Sequence, residues 1–399
     1  MDMNHWKLQK QPMHKEENKM YDFDAMPTRA GSDSVKWAGL GEDVIPMWVA
    51  DMDFKSPQPI LDAVMERAAH PYWGYPIGLD KLTEVVIGHY ERTYGAHIEP
   101  EWIVWVPSVI PGVVNALKMM GGTFMYSTPM YDHIRRLDSE ANLPVIEVPL
   151  KKDENNQFSM DIEALEAAVT PQVTALILCN PHNPVGRMYT EEELLALQAF
   201  CKKHDILIVS DEIHCEIALD RKHIPYFSLN EEAKNYSVTV SSAGKICNIP
   251  GLPTGFAIIP DPKVRKKFIR EQDGLQACSN ALTLAAYNKA YDGSCDGWKD
   301  ALRAYLSENR DIAEARFAQI PELKNPHNEG TYLLWLDCTG LGVEDAAKFF
   351  EEEAKVKVCA GVIYGDPTCV RFNYGCPRAQ LVEALDRMEA AIKKLRESK

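Results

Sequence analysis

The sequence has no excess of positive charge. Its 43 Lys and Arg face 58 Asp and Glu, which leaves a formal net charge of −15. Nucleic acid and anionic membrane surfaces both demand a basic patch, so neither is an expected partner. No apolar run approaches the ~20 residues that span a bilayer. The opening stretch, MDMNHWKLQKQPMHKEENKM, has no apolar core of the secretory type, so it is not expected to be a signal peptide. Ten cysteines stand singly, with no Cys-x-x-Cys spacing, and several fall in apolar runs that read as core strands. A disulfide framework is not expected in so long a chain, and a reduced, cytoplasmic setting fits better. Internal repeats and low-complexity linkers are missing as well.

What remains is a long chain of ordinary globular composition, and 399 residues exceed one typical domain. The middle alternates short apolar runs with helical stretches. Runs at 101–108, 123–127, 173–179, 206–209, 237–241 and 255–259 read as strands buried on both faces, as in a mostly parallel sheet covered by helices. Thr190 with Glu193 makes a capping box for a helix to about Lys203. Ser56-Pro57 opens another helix through Ala69, and a long helix is expected over 300–320. Beyond about residue 290 the pattern changes to strands at 332–337, 357–360 and 370–374, with helices at 343–353 and 378–396. The expected fold is α/β: a doubly wound large domain followed by a small α+β C-terminal domain.

Three motifs sit at successive strand ends, where open α/β sheets gather ligands. The first is Asn180-Pro-His-Asn-Pro-Val-Gly186, which forces a rigid non-helical turn; a plain connection is the weaker reading. The second is Asp211, followed by Glu212, His214 and Glu216. A carboxylate there is functional or structurally paired. A metal cluster is a weaker alternative, because adjacent strand residues point to opposite faces. The third is Ser241-Ser-Ala-Gly-Lys245. A buried lysine has a lowered pKa and a nucleophilic amine, whereas a lone lysine is usually a solvated surface residue.

Taken together, the order Asn-Pro-His-Asn-Pro-x-Gly, Ser-Asp-Glu and Ser-x-x-Lys followed by Gly251-Leu252 resembles the fold-type I, class I/II aminotransferase superfamily. Further stretches are similar to the MalY/PatB-type cystathionine β-lyases, the C–S lyases. They are Lys36-Trp37, Pro46-Met-Trp-Val-Ala-Asp-Met-Asp-Phe54, Tyr72-Trp-Gly-Tyr-Pro76, Asn248-Ile249 and Arg371-Phe-Asn-Tyr-Gly-Cys-Pro-Arg378. The resemblance runs from about Tyr21 to the last helix. It implies a PLP-dependent transferase fold with a seven-stranded large domain. The implied division is an N-terminal segment 1–50 packing with the small domain, a PLP-binding domain 51–289 and a small domain 290–399.

The same resemblance implies pyridoxal 5′-phosphate (PLP) bound to Lys245 as a Schiff base, with Lys245 as general base and Tyr131 beside it in the catalytic set. It assigns Asp211 to the pyridinium nitrogen, Asn183 to the ring 3′-oxygen, Tyr131 to stacking on the ring and His214 to a place near the same oxygen. The Val109 and Ile110 amides and the Ser242 hydroxyl would hold the phosphate. Tyr75 would reach the phosphate of a neighbouring subunit, which implies a homodimer. Arg371, with Asn183 and Ala50, would bind the substrate, the arginine taking its α-carboxylate.

The chain departs from the superfamily pattern around the lysine. Gly244 stands where Ser or Thr is usual, Ile246-Cys247 where Thr-Phe is usual, and Pro253 where a Lys or Arg contacts the phosphate. Residues 118–124 and 364–370 read as shortened. The implied activity is β-elimination from L-cystathionine or a related L-cysteine S-conjugate, giving a thiol, pyruvate and ammonia. An aminotransferase on the same residues and a regulatory protein of this fold with weak or no catalysis are the alternatives.

Overall fold

The computed structural model describes residues 21–26, 29, 31–41, 43–273 and 279–398. Cys278 and residues 1–20 of the N-terminal segment lie outside the described residues. Seven strands form the central sheet: β1 (Ile103–Val106), β2 (Thr123–Thr128), β3 (Val145–Pro149), β4 (Val173–Cys179), β5 (Leu207–Asp211), β6 (Ser237–Ser241) and β7 (Gly255–Ile258). Their order across the sheet is β1-β7-β6-β5-β4-β2-β3. The neighbours from β6 through β3 are parallel. Only β7 is reversed, pairing antiparallel with both β1 and β6. Every residue of β5, β6 and β7 is buried, which explains their uninterrupted apolar character: helices cover both faces.

Helices fix the loops that matter. α1 (Gln58–Ala69) and α2 (Leu79–Tyr94) pack against the later α5 (Ala281–Tyr291). α3 (Val109–Met120) lies tight on the sheet because Gly112 carries no side chain. A Cβ there would stand 3.0 Å from Val240 Cγ1 and 3.2 Å from Val106 Cγ2. α4 (Glu191–Lys203) begins at the expected capping box, with Thr190 N donating to Glu193 and Glu193 N donating to Thr190 Oγ1. Ser56 does not cap α1. Its hydroxyl donates to the Asn248 carbonyl at 3.0 Å and ties this segment to the loop after Lys245.

The C-terminal part has its own antiparallel sheet. It contains β8 (Leu333–Asp337), β9 (Cys359–Ala360) and β10 (Cys369–Asn373), in the order β8-β10-β9. α6 (Asp296–Phe317) and α7 (Arg378–Glu397) pack together beside it. The helix expected over 343–353 is a single α turn, Ala346–Phe349, continued by a π turn, Phe350–Ala354. Ile45–Pro46 pairs in parallel with Val356–Lys357, so the N-terminal segment is stitched to this region. The nine described cysteines are all free. Among the described residues, no helix is long and apolar enough to cross a membrane.

Candidate active site

Five connections leave the carboxyl ends of parallel strands on one side of the sheet. They carry Ser108–Ile110 after β1, Tyr131 after β2, Asn183 after β4, Asp211 to His214 at the end of β5, and Ser242 to Lys245 after β6. All of them line one cavity, together with Ala50, Pro253, Thr254 and Tyr287. The empty space is about 780 Å³, open solvent at its mouth included. A wider cleft continues outward past Trp48, Asp51, Tyr364 and Arg371, and shares Ala50, Tyr131 and Lys245 with the inner cavity.

Lys245 Nζ donates to the Ala50 carbonyl at 2.7 Å, and the buried Tyr332 hydroxyl donates to the same oxygen at 2.8 Å. Burial lowers the Lys245 ammonium to about 8, and the Arg371 charge adds to this against the pull of Asp51 and Asp211. An amine so placed has a nucleophilic fraction at neutral pH. Across the cavity, burial pushes the Asp211 carboxyl up to about 6, although the Ile213 amide donates to Oδ1 at 3.1 Å. Two ionisable groups with opposed shifts line one cavity, a pattern that candidate acid–base sites share.

Arg371 projects from β10 and is buried. Its Nη1 donates to Asn183 Oδ1 at 3.1 Å and its Nη2 to the Trp48 carbonyl at 2.9 Å. The guanidinium lies 4.9 Å from the centre of the Tyr364 ring, and Nε is buried without a partner. Among the described residues its partners are an amide oxygen, a carbonyl and a ring, none of them charged. A buried guanidinium without a counter-ion is costly, and an anion in the cleft would offset that cost.

His214 is buried, with its ring 5.8 Å from that of Tyr332, and neither ring nitrogen has a partner. Burial, then the charges of Lys245 and Arg371, lowers its pKa well below the ordinary value, so the imidazole is neutral. Burial also raises the Tyr131 phenol, which stays protonated. At the far end, α3 points its first turn at the cavity. Ser108 gives no side-chain cap, and Pro111 has no N–H. The Gly112 amide already donates to the Ser108 carbonyl at 3.2 Å, which leaves the amides of Val109 and Ile110.

The acidic run after Asp211 disperses. Glu212 accepts from Ser210 Oγ at 2.9 Å and the Tyr226 amide at 2.8 Å, and pairs with His223 Nε2 at 2.9 Å. Glu216 pairs with Lys299 at 2.7 Å and lies 3.3 Å from His89 Nε2. Burial opposes ionisation there, but these partners hold Glu216 below the usual carboxylate range. Tyr75 is also elsewhere, fully exposed and outside the residues that line the cavity. Sequence reasoning missed Tyr332, Trp48 as a carbonyl acceptor, Tyr287, Thr254 and Tyr364. Trp48 lies in the 46–54 stretch, but its role is a backbone carbonyl; the others show only an aromatic or hydroxyl residue type, which marks no role by itself.

The chain matches the aminotransferase class I and II family over residues 42–388. The cystathionine beta-lyase PatB of Bacillus subtilis is 34% identical over 388 residues, covering 93% of this chain and all of that one. The crystal structure of OvoB superposes with a TM-score of 0.89 at 35% identity, covering 93% of this chain and 99% of that chain. Cystalysin from Treponema denticola, whose crystal structure contains a pyridoxal 5′-phosphate cofactor, gives a TM-score of 0.88 at 27% identity, covering 94% of this chain and 99% of its own. Sheet order, strand-end site and near-complete coverage agree, and this chain belongs to the class I and II aminotransferase family.

Proposed function

We propose that this protein is a PLP-dependent carbon–sulfur β-lyase that cleaves L-cysteine S-conjugates, L-cystathionine among them, to a thiol, pyruvate and ammonia. The observation that carries the reading is the buried Arg371 without a counter-ion, in the cleft that Lys245 also lines. It calls for a substrate carboxylate beside an amine-reactive site. The relative at 34% identity is named for this lyase activity.

The residues present fit PLP. A raised carboxyl, Asp211, suits a protonated ring nitrogen. The partnerless His214 nitrogens suit a polar ring substituent. Lys245 suits an aldehyde, and the free amides of α3 suit a phosphate. When bound, PLP supplies an electron sink for the pair left on Cα as its proton departs. Lys245 holds the cofactor and then moves the Cα proton, with the Ala50 carbonyl and the Tyr332 hydroxyl fixing its resting place. Asp211, a buried carboxyl whose ionisation burial disfavours, would as a carboxylate be stabilised by a protonated ring nitrogen and keep that proton in place. Arg371 and Asn183 grip the α-carboxylate, which turns the Cα–H bond toward Lys245. Tyr131 would lie against the ring, and Ser242 with the amides of Val109 and Ile110 would hold the phosphate, since all four line the cavity.

Tyr75 acts, in this reading, from a second copy of the chain in a homodimer. Tyr72, Trp73, Tyr75 and Ile77 support this, since all four are exposed in one short stretch and call for a cover. The domain division 1–50, 51–289 and 290–399 is part of the same proposal, supported by the separate C-terminal sheet and by the pairing of Ile45–Pro46 with Val356–Lys357. A cytoplasmic setting agrees with the nine free cysteines.

The test is a product assay on the PLP-loaded protein with L-cystathionine. Pyruvate and thiol released in equal amounts, turnover after turnover, are expected. Conversion of an added 2-oxo acid to its amino acid without pyruvate would establish the aminotransferase instead. Binding without either product would leave a regulatory role.

A further inference from the structure

The phosphate end of the cavity contains an unusual set of groups, whose role toward a phosphate rests on the PLP reading. Lys245 is the only lysine or arginine among the described residues that line the cavity. It belongs to the ammonium site beside Ala50. At the end formed by α3 and the loop after β6, the described lining residues are Ser108, Ser242, Gly244, Pro253, Thr254 and Tyr287, none of them charged. A phosphate carries about −1.5 to −2 near neutral pH, with a second pKa of about 6. The first turn of α3 offers a partial positive charge and two free amides, which is less than one full cation.

Hydroxyls occupy the place of a cation. Ser242 Oγ donates to the Thr254 carbonyl at 2.7 Å, and the Tyr287 hydroxyl donates to the same carbonyl at 3.2 Å. The two hydroxyls are also 2.8 Å apart, and the Gly244 amide donates to Ser242 Oγ at 3.1 Å. Two donors therefore compete for one acceptor. Either can turn to a ligand while the other keeps the buried carbonyl satisfied, which removes the usual penalty for breaking a buried hydrogen bond. Burial holds the Tyr287 phenol protonated, so it remains a neutral donor. A Cβ at Gly244 would meet Ser242 Oγ at 3.4 Å and Tyr287 Oη at 3.6 Å, ordinary contacts, so the two hydroxyls do not depend on a glycine there.

We propose that this chain grips the cofactor phosphate in a charge-neutral cup, with Tyr287 as a positioning residue that frees the Ser242 hydroxyl for the phosphate. A neutral cup distinguishes phosphate charge states differently from a cationic one. It accepts the monoanion at less cost than the dianion. The contribution of the phosphate to binding then falls as pH rises through about 6. A cation would make that contribution rise or hold.

The test compares PLP with 5′-deoxypyridoxal, which lacks the phosphate but still reacts with the lysine. Dissociation constants for both come from the visible absorbance of the lysine-bound form, from about pH 5.5 to 8.5. Their ratio isolates the phosphate, because Lys245 titrates identically with either ligand. The ratio is expected to shrink several-fold across that range. Tyr287→Phe is expected to cut it roughly tenfold at every pH, the effect of one hydrogen bond to a charged group. The affinity for 5′-deoxypyridoxal should stay unchanged, a separation that a merely structural defect would not produce. Pro253→Arg, at an exposed position, is expected to raise the ratio at least tenfold and to abolish its fall with pH. A wild-type ratio that holds or grows with pH overturns the neutral cup, as does a Tyr287→Phe ratio equal to the wild type. No visible absorbance with either ligand overturns the cofactor reading itself, and the cup with it.

Discussion

Two enclosed lysines of this chain have opposite surroundings. Lys36 is fully buried and meets Asp53 Oδ2 at 2.7 Å, with Asp51 Oδ1 at 3.8 Å. Asp53 in turn accepts from Arg29 at 2.9 Å, Trp37 at 2.9 Å and Gln380 at 3.0 Å. Despite its burial, Lys36 and these donors hold the Asp53 carboxyl below its ordinary value. Lys245, half-buried in the cavity wall, donates to a neutral carbonyl and is pushed down to about 8. The same contrast holds between Arg310, which bonds Asp220 at 2.6 Å and Asp311 at 2.9 Å, and Arg371, which has no charged partner among the described residues. A paired buried charge holds the fold together. An enclosed charge left unpaired keeps its binding energy for a ligand.

The contrast can be broken from either side. Replacing Lys245 by Ala is expected to reduce lyase turnover by at least about a thousandfold, at the upper end of what a single proton-transferring group supplies. It should also remove the visible absorbance of the lysine-bound cofactor while leaving the melting temperature of the cofactor-free protein within a few degrees. Lys36→Ala should do the reverse. It leaves Asp53 with the half-buried Arg29 as its one remaining charged partner among the described residues and costs about 3 kcal/mol of folding stability, read by urea unfolding. Cofactor affinity measured under folding conditions should hold. If Lys36→Ala proves neutral for stability, the division into structural and functional charges fails.

Arg371→Ala should weaken the interaction with amino-acid substrates by about 2–4 kcal/mol, seen in kcat/KM for L-cystathionine. An unchanged kcat/KM would remove Arg371 from the carboxylate role. The smallest effect concerns Asp211 in the cofactor-free protein. Its folded pKa, about 6, lies above the ordinary carboxylate value because burial disfavours the anion. Its favourable contribution to folding is complete below about pH 4 and is lost as pH rises to about 6. Asp211→Asn should therefore match the wild type near pH 4 and exceed its stability by about 2 kcal/mol above pH 7. Urea midpoints at the two pH values measure this.

Much of the fold and of the candidate site was legible in the sequence. Strands β4 and β6 occupy 173–179 and 237–241 as the apolar runs predict, because burial on both faces leaves an uninterrupted signal. Asn183, Asp211 and Lys245 were readable because each follows such a strand at its carboxyl end. β3 was not readable: it is an edge strand whose Glu147 and Pro149 face solvent, so no apolar run marks it. Ala50 was named from resemblance alone. Its role as the acceptor for both Lys245 and Tyr332 lies in a backbone carbonyl, which no side-chain pattern encodes. Tyr332 lies 282 residues from Ala50 in sequence, and Tyr287 lies 45 from Ser242, contacts that local periodicity does not contain. Tyr75 was readable only as a resemblance, and a single chain leaves it in solvent.

The central claim is that the unpaired Lys245 carries the cofactor. Reduction of the PLP-loaded protein with borohydride, followed by proteolysis and mass mapping, tests it most directly. One phosphopyridoxyl group on the peptide containing Lys245 is the result this account predicts. A label on another lysine, or none on any peptide, would contradict it.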